Sequence, residues 1–336
     1  MGYGAFIIHG ARVGIYPPDS RMADEFGLEL LPIITGRARD CEADVLAVYD
    51  EQGGTSSRTG DGTLHFDAGW EGAENFEVAD GVRVYLDYGR LAVKISARDG
   101  SSFDESLLAL VNLVEYMLRL HMHRSRPLAV FHAAAWEVGG AGILLPGASG
   151  AGKTSLSFIM EAAGHLIISD EDSFVVRGAD GLTLLPYPRR LRVGGGLLAA
   201  YPELHNRAAR PYSAFGGEGL LFEHDGRPAC VAPLAAVVFL DNDPAHTGPP
   251  MLTPLTERAR VLYSLLGSGE YYPADNAHGP MKAEFAAFNR ALFGIACEAV
   301  DKVPAWRLVY DITRQCRLIP EVIEELASNL MEAGRV

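Results

Sequence analysis

Gly142-Ile143-Leu144-Leu145-Pro146-Gly147-Ala148-Ser149-Gly150-Ala151-Gly152-Lys153-Thr154 is the stretch on which the reading of this 336-residue chain turns. An apolar, strand-like run leads in, and the last eight residues satisfy G-x-x-x-x-G-K-[ST]. A helix is expected from Lys153 to Ala163, with Leu156, Ile159, Met160 and Ala163 on one face and Gly164 just past its end. Strand, glycine-rich turn and helix in that order bring several main-chain N–H groups and the positive end of a helix to one point, which suits phosphate oxygens. The expected cradle comprises Gly147, Ala148, Ser149, Gly150, Ala151, Gly152, Lys153, Thr154 and Ser155. Lys153 would meet the β- and γ-phosphates of a nucleotide and the Thr154 hydroxyl would hold Mg2+. The plain alternative is a glycine-rich turn followed by Lys-Thr by chance, and the flanking strand and helix speak against it.

Working outward, Leu166-Ile167-Ile168 is a short apolar strand that ends at Ser169-Asp170-Glu171-Asp172, so Asp170 falls 17 residues after Lys153. Phosphoryl transfer needs one carboxylate to steer a metal ion and another to accept the proton of the attacking hydroxyl. Asp170 and Glu171 are the natural pair, with Thr154 as a third metal ligand; Asp172 reads as part of a solvated turn. His132 lies on the strand before the cradle, where a core histidine and a catalytic one look alike. Arg189, Arg190 and Arg192 follow Pro186-Tyr187-Pro188. Three guanidinium groups there suit phosphates or an acidic peptide, and equally a solvated strand edge. His121 and His123 have no third ligand nearby and read as a helix end.

Further from the cradle, Leu128–Glu137 and Gly142–Pro146 read as a strand pair across Gly139-Gly140, followed by strands at 174–177, 182–187, 234–240 and 306–310. Helices are expected at 256–266, 281–300 and 320–333, and the Gly-, Pro- and Arg-rich stretch 194–219 as a mobile segment. Before the cradle, residues 1–100 read as short strands and turns. A hairpin puts Val82, Val84 and Leu86 opposite Leu91, Val93 and Ile95, and an exposed loop spans 52–62. Leu107, Leu110, Val111, Val114 and Leu118 then mark a helix to about His121, closed by Pro127. The expected division is a β-rich N-terminal domain, 1–126, and an α/β domain, 127–336.

Composition narrows the function classes. Apolar residues make up 48% of the chain, enough for packed cores in two domains. Acidic residues outnumber basic ones by 43 to 29, and the resulting charge of −14 opposes a nucleic-acid partner. Cys41, Cys230, Cys297 and Cys316 show no paired spacing and read as reduced, mostly buried thiols. The opening residues Met1–Phe6 lack a basic signal-peptide region, and no apolar run approaches the roughly 20 residues that cross a bilayer, so a cytoplasmic protein without a membrane partner is expected.

Phe131-His132-Ala133-Ala134-Ala135, the stretch Gly142–Thr154, Gly164 and Ile168-Ser169-Asp170-Glu171 together resemble the HPr kinase/phosphorylase superfamily. Within it the likeness is to HPr kinase-related proteins found beside peptide-modification clusters, including lasso-peptide precursor kinases. The resemblance covers about residues 127–195. It implies a P-loop kinase core of the HPr kinase and phosphoenolpyruvate carboxykinase type, ATP and Mg2+ as cofactors, and a Ser hydroxyl as acceptor. By position it makes His132 the family histidine near the reacting phosphate, and Asp170 and Glu171 the paired acids. Three departures stand out: Glu171 replaces the usual second Asp, Arg190 stands where an acid is expected, and the signature of the phosphorylase reaction is missing. A peptide or dedicated protein is therefore the expected substrate, in place of HPr. True HPr kinases form rings, so a homo-oligomer is compatible with the resemblance. A small-metabolite kinase of the shikimate-kinase kind and a non-catalytic ATP-sensing module are the alternatives.

Overall fold

A period of two puts alternate side chains on one face, and the computed structural model pairs Val84 with Ile95 and Leu86 with Val93 in an antiparallel hairpin, all four buried. The structure describes residues 4–9, 11–16, 21–29, 34–39, 43–50, 74–79, 81–98, 101–148, 150–187, 189–200, 209–214, 217–222, 230–272 and 279–334. The expected loop at 52–62 lies outside them. The fold is mixed α/β with several sheets. Contacts group Met1–Ser125 with Pro211–Gly219, and Arg126–Arg210 with Leu220–Val336, so that 211–219 joins the first unit although the sequence reading keeps it with the second.

The first unit contains β1 (Gly4–Ile8), β2 (Ala11–Tyr16), α1 (Arg21–Glu29), β3 (Ile34–Arg39), β4 (Val45–Asp50), β5 (Glu74–Ala79), β6 (Val82–Asp87), β7 (Ala92–Ala97) and α2 (Phe103–Ser125). Its described strands form one sheet, ordered β3-β1-β2-β4-β7-β6-β5, in which β4 runs parallel to both β2 and β7. The α2 stripe of Leu107, Leu110, Val111, Val114 and Leu118 is buried, and the helix packs on β7, β4 and β2. It runs four residues past His121, to Ser125, whose hydroxyl donates to Met122 O just before Pro127. Helix α1 is absent from the strand-and-turn reading of 1–100. It buries Met22, Ala23 and Phe26, too few positions for helical spacing to show in the sequence.

The second unit continues with β8 (Leu128–Val138), β9 (Ala141–Pro146), α3 (Lys153–Ala162), β10 (Leu166–Ser169), β11 (Asp172–Arg177), β12 (Leu182–Leu185), β13 (Leu191–Gly194) and α4 (Gly195–Ala200). After β14 (Ala209–Ala214) and β15 (Gly217–Phe222), hydrogen-bonded neighbours whose residues 211–214 and 217–219 group with the first unit, come β16 (Ala232–Asn242), β17 (Met251–Leu255), α5 (Arg258–Gly267) and α6 (Gly279–Lys302). The chain closes through β18 (Ala305–Tyr310), α7 (Ile312–Gln315) and α8 (Ile319–Glu332). Eight described strands form a sheet in the order β10-β8-β11-β12-β16-β18-β17, with β9 lodged between β8 and β16. Gly139 and Gly140, with φ of 61° and 92°, make the tight β8–β9 turn, where a left-handed backbone favours glycine.

Two expectations change here. The described residues of the stretch 194–219, read as a mobile segment, carry α4, β14 and the first half of β15, and α4 buries Leu197 and Leu198. Strand β17, not anticipated, sits at the sheet edge, where Pro254 costs no interior hydrogen bond. Helix α8 buries Ile319, Ile323, Leu326 and Leu330, at about 1.5–3 kcal/mol for each fully buried side chain. Of the described cysteines Cys316 is buried, while Cys230 and Cys297 are only partly so. No described helix is long and apolar enough to cross a membrane.

Candidate functional site

Strand β9 is buried along its whole length and delivers the chain into the glycine-rich turn. Gly150 and Gly152 adopt φ of 80° and 98°, a left-handed conformation that side chains disfavour. A Cβ on Gly152 would lie 2.2 Å from Ile312 Cδ1 and 3.3 Å from Tyr310 Oη, whereas one on Gly150 would meet nothing within 4 Å. The turn is thus packed on one side and open on the other. The Tyr310 hydroxyl donates to Ala151 O, and Trp136 Nε1 donates to Ser157 Oγ at 3.0 Å, tying both the turn and α3 to the sheet. Gly152→Ala is expected to cost about 1–2 kcal/mol of stability, read by urea unfolding, because the left-handed strain adds to the Ile312 clash. An unchanged unfolding midpoint would contradict the packing described.

Lys153 opens α3 and is buried, its Nζ donating to Gly147 O at 2.7 Å and Ala148 O at 3.3 Å. Burial pulls the ammonium below the ordinary lysine range, and the charges of Asp170, Glu171 and Asp172 work in the opposite direction. Thr154 and Ser155 follow, half-buried, on the first turn of α3; Ser149 lies outside the described residues.

The acids sit where β10 gives way to β11, two strands that both pair antiparallel with β8. Ala133 N donates to Glu171 O at 3.0 Å, and Asp172 stands directly opposite His132. Ser173 Oγ donates to Ala133 O at 2.8 Å and meets Ser169 Oγ, which steadies the junction. Asp170 and Asp172 are buried, while the Glu171 side chain is 51% exposed. The crowding of protein around Glu171, followed by the charges of Asp172 and Asp170, raises its pKa above the ordinary value.

Asp172 corrects the sequence reading, which left it on a solvated turn. Its Oδ1 lies 3.9 Å from His132 Nδ1 and its Oδ2 accepts from Arg189 Nη2 at 3.5 Å. Asp172 is the main reason that the His132 imidazole titrates higher than usual, against the opposing effects of burial and Lys153. The arginines also differ from a solvated edge. Arg189 and Arg190 are buried, and Arg192 is half-buried. Arg189 Nη1 reaches Glu171 Oε2 at 3.3 Å, and the charge of Arg192 acts on Glu171. Tyr187, stacked on Phe174 at 4.8 Å, donates its amide to Ile168 O and so carries the arginine segment past the acids.

Lys153, Asp170, Glu171 and His132, named from sequence, therefore share one electrostatic neighbourhood, to which the tertiary structure adds Asp172. No local motif marks Asp172, because only the pairing of β11 with β8 sets it against His132.

No family model matches the chain, and no curated protein matches it. Among solved structures, the Hpr(Ser) kinase/phosphatase from Coxiella burnetii aligns with a TM-score of 0.30 and 11% identity, over 62% of this chain and 99% of that one.

Proposed function

We propose that this protein is an ATP-dependent serine kinase that transfers the γ-phosphoryl group to a Ser hydroxyl of a peptide or protein. The observation that carries this reading is the shared field of a buried lysine at a strand–glycine turn–helix junction, three adjacent carboxylates and a histidine. In this reading the chain has a P-loop core of the HPr kinase type.

The main-chain amides of the turn and the first turn of α3 bind the phosphates on the open side at Gly150, where a side chain would have met nothing. Lys153 gives up its bonds to Gly147 O and Ala148 O and turns to the β- and γ-phosphates. Hydroxyl and carboxylate oxygens suit a hard cation, so Thr154, Asp170 and Glu171 would hold Mg2+, which when bound offsets the charge of the terminal phosphates. The acceptor oxygen bonds to the γ-phosphorus as the bond to the β-phosphate oxygen breaks. The acceptor proton passes to one of the two acids, and His132 stands beside the transfer. Arg189 and Arg192 carry positive charge next to Glu171, and together with Arg190 they would orient phosphate or an acidic peptide.

The direct test is incubation with γ-labelled ATP, Mg2+ and Ser-bearing peptides encoded beside the gene, followed by phosphoserine analysis. Labelled serine is the expected product. Turnover of small metabolites with no peptide labelling would overturn the peptide assignment while leaving a kinase.

A further inference from the structure

Glu270 belongs to none of the steps above, yet the fold brings it to His132 and Asp172. Among the described residues these three place one ligand atom each within 4.8 Å of one another. Their convergence follows from the backbone. Beyond Ala133, where β9 has ended at Pro146, residues 268–270 take over the free edge of β8. His132 N donates to Ser268 O at 2.6 Å, Glu270 N donates to Val130 O at 2.9 Å, and Phe131 bridges Gly269. On the other side of β8, Asp172 is the register partner of His132. Val130 and His132 are two residues apart and share a face, so their partners Glu270 and Asp172 flank the imidazole on that face.

We propose that His132, Asp172 and Glu270 form a binding site for a divalent first-row transition cation, separate from the phosphate cradle. One imidazole and two carboxylates form a borderline donor set that such ions accept, and three protein ligands leave positions open for water. Ligands about 2.1 Å from a tetrahedral ion lie roughly 3.4 Å apart, so the 3.9 Å between His132 Nδ1 and Asp172 Oδ1 needs only a small side-chain adjustment. The two oxygens of Asp172 divide their work: Oδ2 receives Arg189, and Oδ1 faces the histidine. Lys153, Arg189 and Arg192 bring positive charge close by, and Asp170, Glu171, Asp172 and Glu270 offset it.

The site can be tested without nucleotide, so the result does not depend on the kinase assignment. Zn2+ and Mn2+ are titrated separately into the full chain, by calorimetry and by the electron paramagnetic resonance of free Mn2+. One tightly bound Zn2+ per chain is expected, held more tightly than Mn2+. Glu270→Gln and His132→Asn should each weaken binding at least about tenfold, and Lys153→Ala, which removes a neighbouring positive charge, should not weaken it. Zn2+ should raise the melting temperature of the wild-type chain and not that of Glu270→Gln, which keeps the side chain's shape. No saturable Zn2+ site, binding by Glu270→Gln equal to wild type, or loss of the ion in Lys153→Ala would overturn the proposal.

Discussion

Lys153→Ala is expected to lower phosphoryl transfer from ATP at least about 10²-fold, the scale seen when a single well-placed electrostatic donor is removed from a reacting site. The residue is buried, and its ammonium is the cation held among the glycine-turn carbonyls and the acidic row. Without it, the phosphates would face Asp170, Glu171 and Asp172 with no positive charge from the helix start beyond the main-chain dipole. Nucleotide affinity should fall as well, by less than transfer, since the lysine meets the phosphates in the ground state and more strongly in the transition state. Single-turnover labelling, with circular dichroism to verify folding, checks the effect. Transfer by the variant at the wild-type rate would remove the basis of the proposed mechanism.

Asp170→Asn should behave differently. The substitution keeps the shape of a buried side chain but deletes its charge. In the proposed reaction that charge steers the metal ion or receives the acceptor proton, so transfer should drop about 10²–10³-fold. Binding of ATP, which rests on the turn and Lys153, should change much less. Equilibrium binding of a fluorescent nucleotide, measured beside the labelling rate, separates the two quantities. If Asp170→Asn and Glu171→Gln both kept full cellular function while Lys153→Ala abolished it, the protein would be an ATP-sensing module.

The two variants also probe different levels of organisation. The glycine turn is built from residues close together in the chain, whereas the acidic junction depends on two strands sharing β8 as a partner. A kinase of this design would take its phosphate grip from local conformation and its proton handling from sheet pairing.

The difference shows what could be read in advance. The turn between β9 and α3, the hairpin of β6 and β7, and the long helices α2, α5, α6 and α8 were visible in the sequence because their causes are local. Side-chain period, glycine at left-handed positions and proline at helix ends all act within a few residues. Asp172, by contrast, looked like one more charge on an acidic turn, and it became the partner of His132 only when β11 paired with β8 in a particular register. The same applies to Arg189 and Arg190, whose burial no local pattern announces. Glu270 is the extreme case, since a short extended segment far along the chain docks on an edge that β9 leaves uncovered. Local sequence was enough to place the strongly periodic strands and helices and the glycine-rich turn that a lysine and a helix complete, but not α1, β17 or the elements of 194–219. Tertiary structure alone decided which charges meet, because strand order and register are set by long-range burial and hydrogen bonding.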